Sequence, residues 1–249
     1  MAPTVLAEVV EAVADAAYGS AIVVLLIETS TPTCSVSLSR GTELLASREN
    51  HEGLSHAALT AVFVEEVMKE AGVKLEDLDA VAISKGPGSY TGLRIGVSVA
   101  KGLCYALNKP LIAVSSLQAL AQTAAKHYSK NHVFIPMIDA RRMEVYSAVY
   151  NSKGECLRDV QADIIDENSY ADFTEQPIIL LGDGAKKCEE IFKNNQQIRI
   201  DETLKFSAKN MISLAQAAFE NKDFVDVAYF EPFYLKDFIA GKPSVKGLR

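Results

Sequence analysis

Asp79-Ala80-Val81-Ala82-Ile83-Ser84, running directly into Lys85-Gly86-Pro87-Gly88-Ser89-Tyr90-Thr91-Gly92-Leu93-Arg94-Ile95-Gly96, decides the fold: an apolar strand meets four glycines and a proline and passes into a long apolar helix. The spacing predicts that helix from about Gly92 to Leu107. Glycine-rich joins of this kind let a backbone approach another group closely. The helix start would aim N–H groups and a positive dipole end at an incoming anion or partner, and a tight turn is the plainer alternative. Neither common phosphate loop fits. Gly86 leads to Thr91-Gly92-Leu93 with no lysine where a P-loop needs one, and the dinucleotide pattern begun by Gly86 and Gly88 finds Thr91 in place of its third glycine.

Working outward, Ile22 to Ile27 reads as a buried strand, Cys34 to Ser39 alternates at period two, and Gly41 turns the chain into a third strand reaching about Arg48. Ser55 is placed to cap a helix running to about Ala71, and Gly72 ends it. The second half repeats the plan. Val133 to Ile138 and Glu144 to Tyr150 are strands, Lys153-Gly154 is a turn, and Ile178 to Leu181 is a strand ending in Gly182-Asp183-Gly184. Each half carries an acid after its first strand, Glu28 or Asp139, and later a Gly-x-Gly turn. The layout predicts duplicated α/β lobes: residues 22–125, and residues 126–236 with helices near Ala185 to Asn194 and from Ser207, as N-cap, to Asn221. Residues 1–21 form an apolar-striped leader, either an expression leader or a strain-specific extension, and residues 237–249 form a basic tail with Lys242, Lys246 and Arg249.

Bulk properties narrow the partners. Of 249 residues, 25 are basic and 32 acidic, and the net charge of −7 opposes the phosphate neutralisation that drives nucleic-acid binding. Any RNA partner is therefore expected to be held mainly by another chain. Cys34, Cys104, Cys156 and Cys188 show no CxxC spacing, which suits a reducing cytoplasm. No apolar run is long enough for a membrane helix, and the leader lacks the basic start of a secretory signal.

Both predicted first-lobe helices carry more apolar surface than one core face needs. Ala57, Ala61, Val64, Met68 and Ala71 make one stripe, while Leu59, Val62 and Phe63 lie almost opposite. In the second helix Leu93, Val97, Ala100, Leu103, Cys104 and Leu107 cover one arc, which Ile95, Val99 and Ala106 extend. The surplus is covered either by strands of the same chain or by a helix-on-helix protein interface, for which Gly96 and Ala100 would allow close approach.

The signature Lys85–Gly96 resembles that of the bacterial TsaB family, also called YeaZ. Ile27-Glu28-Thr29-Ser30, Cys34-Ser35-Val36-Ser37-Leu38, Val114-Ser115-Ser116-Leu117, Ile138-Asp139-Ala140-Arg141, Glu144-Val145-Tyr146 and Glu231-Pro232-Phe233-Tyr234-Leu235 extend the resemblance over about Ile22 to Lys236. It implies a two-lobed actin-like or sugar-kinase-like ATPase fold of the ribonuclease-H-like kind. It also implies a non-catalytic subunit that dimerises with TsaD, or with itself, through first-lobe helices. In that role it helps transfer a threonylcarbamoyl group from threonylcarbamoyl-adenylate to N6 of adenosine 37 in tRNAs reading codons that start with A, alongside the ATPase TsaE. Leu59, Val62, Phe63, Ile95 and Val99 carry the implied interface, and the loop Lys85, Gly86, Pro87, Gly88, Ser89, Tyr90, Thr91, Gly92 and Arg94 shapes it.

Catalytic chemistry finds little support in the residues. Related tRNA modifiers resemble one another in carrying two metal-binding histidines four apart on a first-lobe helix; here His56 is followed by Thr60, so no metal and no cofactor are expected, and His56 reads as an exposed helix-start residue. Glu28 stands where such ATPases carry a metal-linked aspartate, with Asp139 as its counterpart; turn hydrogen bonds are the alternative for both. Ser89 is not in a G-x-S-x-G elbow, and none of the four histidines has triad spacing. Lys85 and Arg94 flank the loop, either solvated or attracting an anion or acidic partner. The competing readings are a small ATP-dependent kinase or hydrolase using Glu28 and Asp139, and a homodimeric nucleotide- or metabolite-binding protein.

Overall fold

The computed structural model describes residues 21–53 and 55–236. The apolar stripe of the leader and the basic tail lie outside the described residues. The first lobe is built on β1 (Val23–Glu28), β2 (Cys34–Arg40), β3 (Glu43–Asn50), β4 (Ala80–Gly86) and β5 (Leu111–Ser115), with α1 (His56–Ala71) and α2 (Tyr90–Leu107) between them in sequence. The second comprises β6 (Val133–Asp139), β7 (Glu144–Asn151), β8 (Cys156–Ile164), β9 (Ile178–Leu181) and β10 (Ile198–Asp201). Two five-stranded sheets result, ordered β3-β2-β1-β4-β5 and β8-β7-β6-β9-β10. In each, an antiparallel three-strand meander is joined through its first strand to two parallel strands. This is the duplicated actin-like, sugar-kinase-like arrangement.

β1 is apolar at every position before Glu28 because both of its faces are covered. Leu25 and Ile27 join Val36, Leu38, Val81 and Ile83 beneath α1 and α2, where Val67, Val97, Ala100 and Cys104 complete the layer. Val24 and Leu26 point the other way, with Ala80, Ala82 and Ile112. That second face is covered from far along the chain, by Ala208, Met211, Ile212 and Ala215 of a 3-10 turn and of α5 (Ile212–Glu220). α3 (Ser116–His127) serves both lobes: Ala119 packs on the first sheet, while Leu117, Leu120, Ala121 and Ala124 pack on Phe134, Ile138 and Ala148 of the second. Residues 208–215 thus follow the second lobe in sequence but complete the first in packing.

Some element boundaries differ from the sequence reading, each for a local reason. The helix expected at Ala185 to Asn194 is a 3-10 turn, Lys186–Cys188, and one turn of helix, α4 (Glu189–Phe192), anchored to the core by Cys188 and Phe192 with Ile191 beside them. β8 is an edge strand that the sequence reading passed over, although Val160, Ala162 and Ile164 alternate with Gln161 and Asp163. Ser55 occupies the start of α1, but its hydroxyl bonds Asn50 Oδ1 at 3.2 Å instead of capping. Gly72 ends α1 in the left-handed conformation, and Ser207 Oγ accepts from Lys209 N–H at 3.3 Å, both as expected.

Met211 is wholly buried against the first sheet. Met211→Ala is expected to cost about 2–5 kcal/mol in urea unfolding, and to speed amide exchange in β1 and β4 in preference to β9.

Candidate functional site: the glycine loop, the cleft and the outer helix face

The glycine loop folds back on its own lobe. Ser89 N–H donates to Ser30 O at 2.7 Å, and Ser89 Oγ accepts from Gly92 N–H at 3.3 Å as the cap of α2. A Cβ at Gly88 would lie 2.1 Å from Ser30 O, one at Gly92 2.2 Å from Thr29 O, and one at Gly96 2.2 Å from Thr29 Oγ1. These glycines let the start of α2 press against the turn after β1. The expectation that the loop's free N–H groups face an incoming ligand is corrected at Ser89 and Gly92, whose N–H groups are taken internally. Gly96 and Ala100 likewise face inward, Ala100 being fully buried, so they cannot be the close-approach pair of an external interface. Pro87 is buried, whereas Lys85, Thr91 and Arg94 are exposed. Arg94 Nη1 donates to Tyr90 Oη at 3.0 Å, and its guanidinium lies 5.1 Å from that ring.

Between the lobes lies a cleft of about 1060 Å³, bordered by Ser30, Thr31, the first turn of α2, Asp139, Arg141, Asp183 and Tyr234. The two acids singled out by sequence position are engaged alike. Glu28, buried, accepts from Ser30 N–H at 2.7 Å, and Asp139 Oδ1 accepts from Arg141 N–H at 2.7 Å and from Lys187 Nζ at 2.6 Å. Each closes the turn after the first strand of its lobe, the structural alternative weighed for both.

His56 is not the exposed residue expected. It is buried, its Nε2 lies 2.9 Å from Thr31 O, and Thr60 Oγ1 donates to the His56 carbonyl at 2.7 Å, because the first turn of α1 is held against the Thr31 turn. Among the described residues no group of three or more His, Cys, Asp or Glu side chains is arranged to hold a metal ion. Asp183, which the sequence reading did not single out as a site residue, opens onto the cleft. Crowding by the cleft walls, and secondarily the negative charge of Asp139, push its carboxyl up to about 6.

The five residues assigned to an interface all retain exposure: Val62 is 44% exposed and Leu59, Phe63, Ile95 and Val99 are half-buried, but Ile95 borders the inter-lobe cleft and only Val99 of the five borders the outer groove. Phe63 and Val99 also pack on the core beneath. An apolar groove of about 470 Å³ runs between the helices, bordered by Ala61, Met68, Val73, Leu75, Val99 and Leu103. Leu75, 40% exposed, borders this groove and was missed because it sits in a charged turn outside the helices.

A protein from Escherichia coli described as tRNA threonylcarbamoyladenosine biosynthesis protein TsaB is 31% identical over 227 residues, covering 88% of this chain and 96% of its own length. The chain belongs to the TsaB (YeaZ) family. The Bacillus subtilis TsaB is 34% identical over 166 residues, 64% of this chain and 70% of that protein. The solved structure of YeaZ from Pseudomonas aeruginosa superposes with a TM-score of 0.69 at 31% identity, over 86% of this chain and all of that one. Residues 53–242 also match the family model described as TsaD, tRNA N6-adenosine threonylcarbamoyltransferase. TsaB signature glycines in this chain are thus explained by contacts made within the lobe.

Alanine normally improves a helix over glycine by ~1 kcal/mol. Gly102, with nothing within 4 Å of its would-be Cβ, is expected to show that gain on Gly102→Ala, while Gly92→Ala, blocked by Thr29 O at 2.2 Å, is expected to lose more than about 2 kcal/mol, both read by urea unfolding. A second expectation concerns pH. Because folding raises the Asp183 pKa from 3.8 to about 6, its contribution to stability is present below the lower value and is lost as pH rises through the upper one. Asp183→Asn should therefore melt above the parent at pH 8, the gap closing below about pH 4; cleft water keeps the difference small.

Proposed function

We propose that this chain is a non-catalytic scaffold in threonylcarbamoylation of tRNA adenosine 37, acting by dimerising with a TsaD partner through the outer face of α1 and α2. The observation that carries this reading is the apolar surplus on those helices. The sheet beneath them is covered by inward residues, and Val62, Leu59 and the groove edge still present apolar surface outward. A stable protein interface of ordinary size buries about 1,600 Å² in total and draws most of its strength from a small apolar centre, which two adjacent four- and five-turn helices can supply.

The candidate catalytic groups support the same reading. Glu28 and Asp139 are committed to turn hydrogen bonds, and His56 and Thr60 are turned into the lobe. The chemistry then belongs to the TsaD partner, with TsaE as the ATPase of the complex and tRNA held largely by the partner surface, consistent with a net charge of −7 here. In isolation the same face pairs two copies of the chain. No helix among the described residues is long and apolar enough to cross a membrane.

Val62→Asp tests the assignment most cleanly, since Val62 is the most exposed of the five residues and is not part of the packed core. It is expected to leave circular dichroism and melting unchanged within ~0.5 kcal/mol while weakening calorimetric binding to purified TsaD at least about tenfold. Undiminished binding by the folded variant would remove the interface assignment. Mg-dependent nucleotide turnover by the chain alone would favour the enzyme reading.

A further inference from the structure

Residues 226–236 form no helix or strand, yet they are tied down along their length. Just before them, Val225 N–H donates to Leu111 O at 2.9 Å on β5, and Lys101 Nζ on α2 then donates to Ala228 O at 3.0 Å. Phe233 N–H donates to Lys85 O at 2.8 Å, at the end of β4. The Tyr234 ring lies 4.8 Å from that of Tyr90, the first residue of α2. All four contacts are with the first lobe. Two residues later, Lys236 Nζ reaches both carboxylate oxygens of Glu144 at 2.5 Å, on β7 of the second lobe. Tyr234, Leu235 and Lys236 border the cleft they cross.

We propose that Phe233–Lys236 is a latch that holds the two lobes at their closed spacing, anchored on the first lobe by the Lys85 carbonyl and the Tyr90 ring and on the second by the Glu144 carboxylate. α3 packs on both sheets, whereas this segment crosses from one lobe to the other at the cleft. The anchors suit a releasable tie. One hydrogen bond, one ring contact and one partly exposed ion pair are each weak singly, so the latch can open without unfolding either sheet. The inference does not depend on the partner assigned to α1 and α2.

The test uses the full chain and hydrogen exchange read by mass spectrometry. Lys236→Glu and Glu144→Lys are each expected to raise exchange in cleft-wall peptides over Ser30–Pro32 and Asp139–Arg141 by about two- to fivefold, with a larger radius of gyration by X-ray scattering. The double swap should return both to the parent values. Peptides over β1 and β6 report on folding and should not change. Unchanged wall exchange in both single variants, or a double swap as open as the singles, would overturn the latch. Tyr234→Ala removes the first-lobe ring contact without altering charge and is measured in parallel. It must open the same peptides, and a parent-like pattern there overturns the proposal even if a charge reversal unfolds the protein.

Discussion

The contact between the start of α2 and the turn after β1 sets the geometry of the first lobe. Backbone meets backbone at Gly88 and Gly92, and a side-chain oxygen of Thr29 sits where Gly96 would carry a methyl group. That approach fixes how deeply α2 lies against the sheet. It thereby decides which helix residues are core and which are left over. Val97, Ala100 and Cys104 go inward, and Ile95 and Val99 remain at the edge. The same contact brings Ser89 onto Ser30 and Tyr90 to the rim of the cleft. An outward-facing apolar surface and an inter-lobe cleft both follow from glycines pressed against the turn after β1.

The second lobe shows what the duplicated plan retains. Asp139 closes its turn as Glu28 does, and at Gly182 a Cβ would meet Met137 O at 2.6 Å, again a strand-end glycine pressed on the neighbouring strand. The lobes then diverge. The first places an 18-residue helix after its glycine turn; the second places one short turn, and its acids Asp139 and Asp183 border the cleft, Asp139 with Lys187 as partner. The divergence leaves the broad helical face on one lobe and the charged wall on the other.

Much of this was legible in the sequence where periodicity and turn chemistry agree. The uniformly apolar β1 and β6, the Gly72 stop, the Ser207 cap and the two acid-then-Gly-x-Gly layouts needed no structure. The surplus on α1 and α2 was also readable, but its direction was not. Gly96 and Ala100 look like a close-approach pair in one dimension, and only the position of Thr29 shows that the close approach is internal. His56 was misjudged because a helix-start histidine gives no sign that a distant carbonyl, Thr31 O, will enclose it. β8 was passed over although its second half alternates at period two, and Asp183 stayed hidden because a lone carboxylate acquires its raised pKa only from the walls that fold around it.

The return of residues 208–215 to the first sheet bears on the order in which the protein can be made. As the chain leaves the ribosome, β1 and β4 can pair and receive α1 and α2 early, but Val24, Leu26, Ala80 and Ala82 have only Ala119 of α3 on their other side until residues 208–215 have emerged. Vectorial synthesis therefore carries a half-dressed sheet for most of its course, an aggregation-prone intermediate that chaperones of nascent chains would recognise.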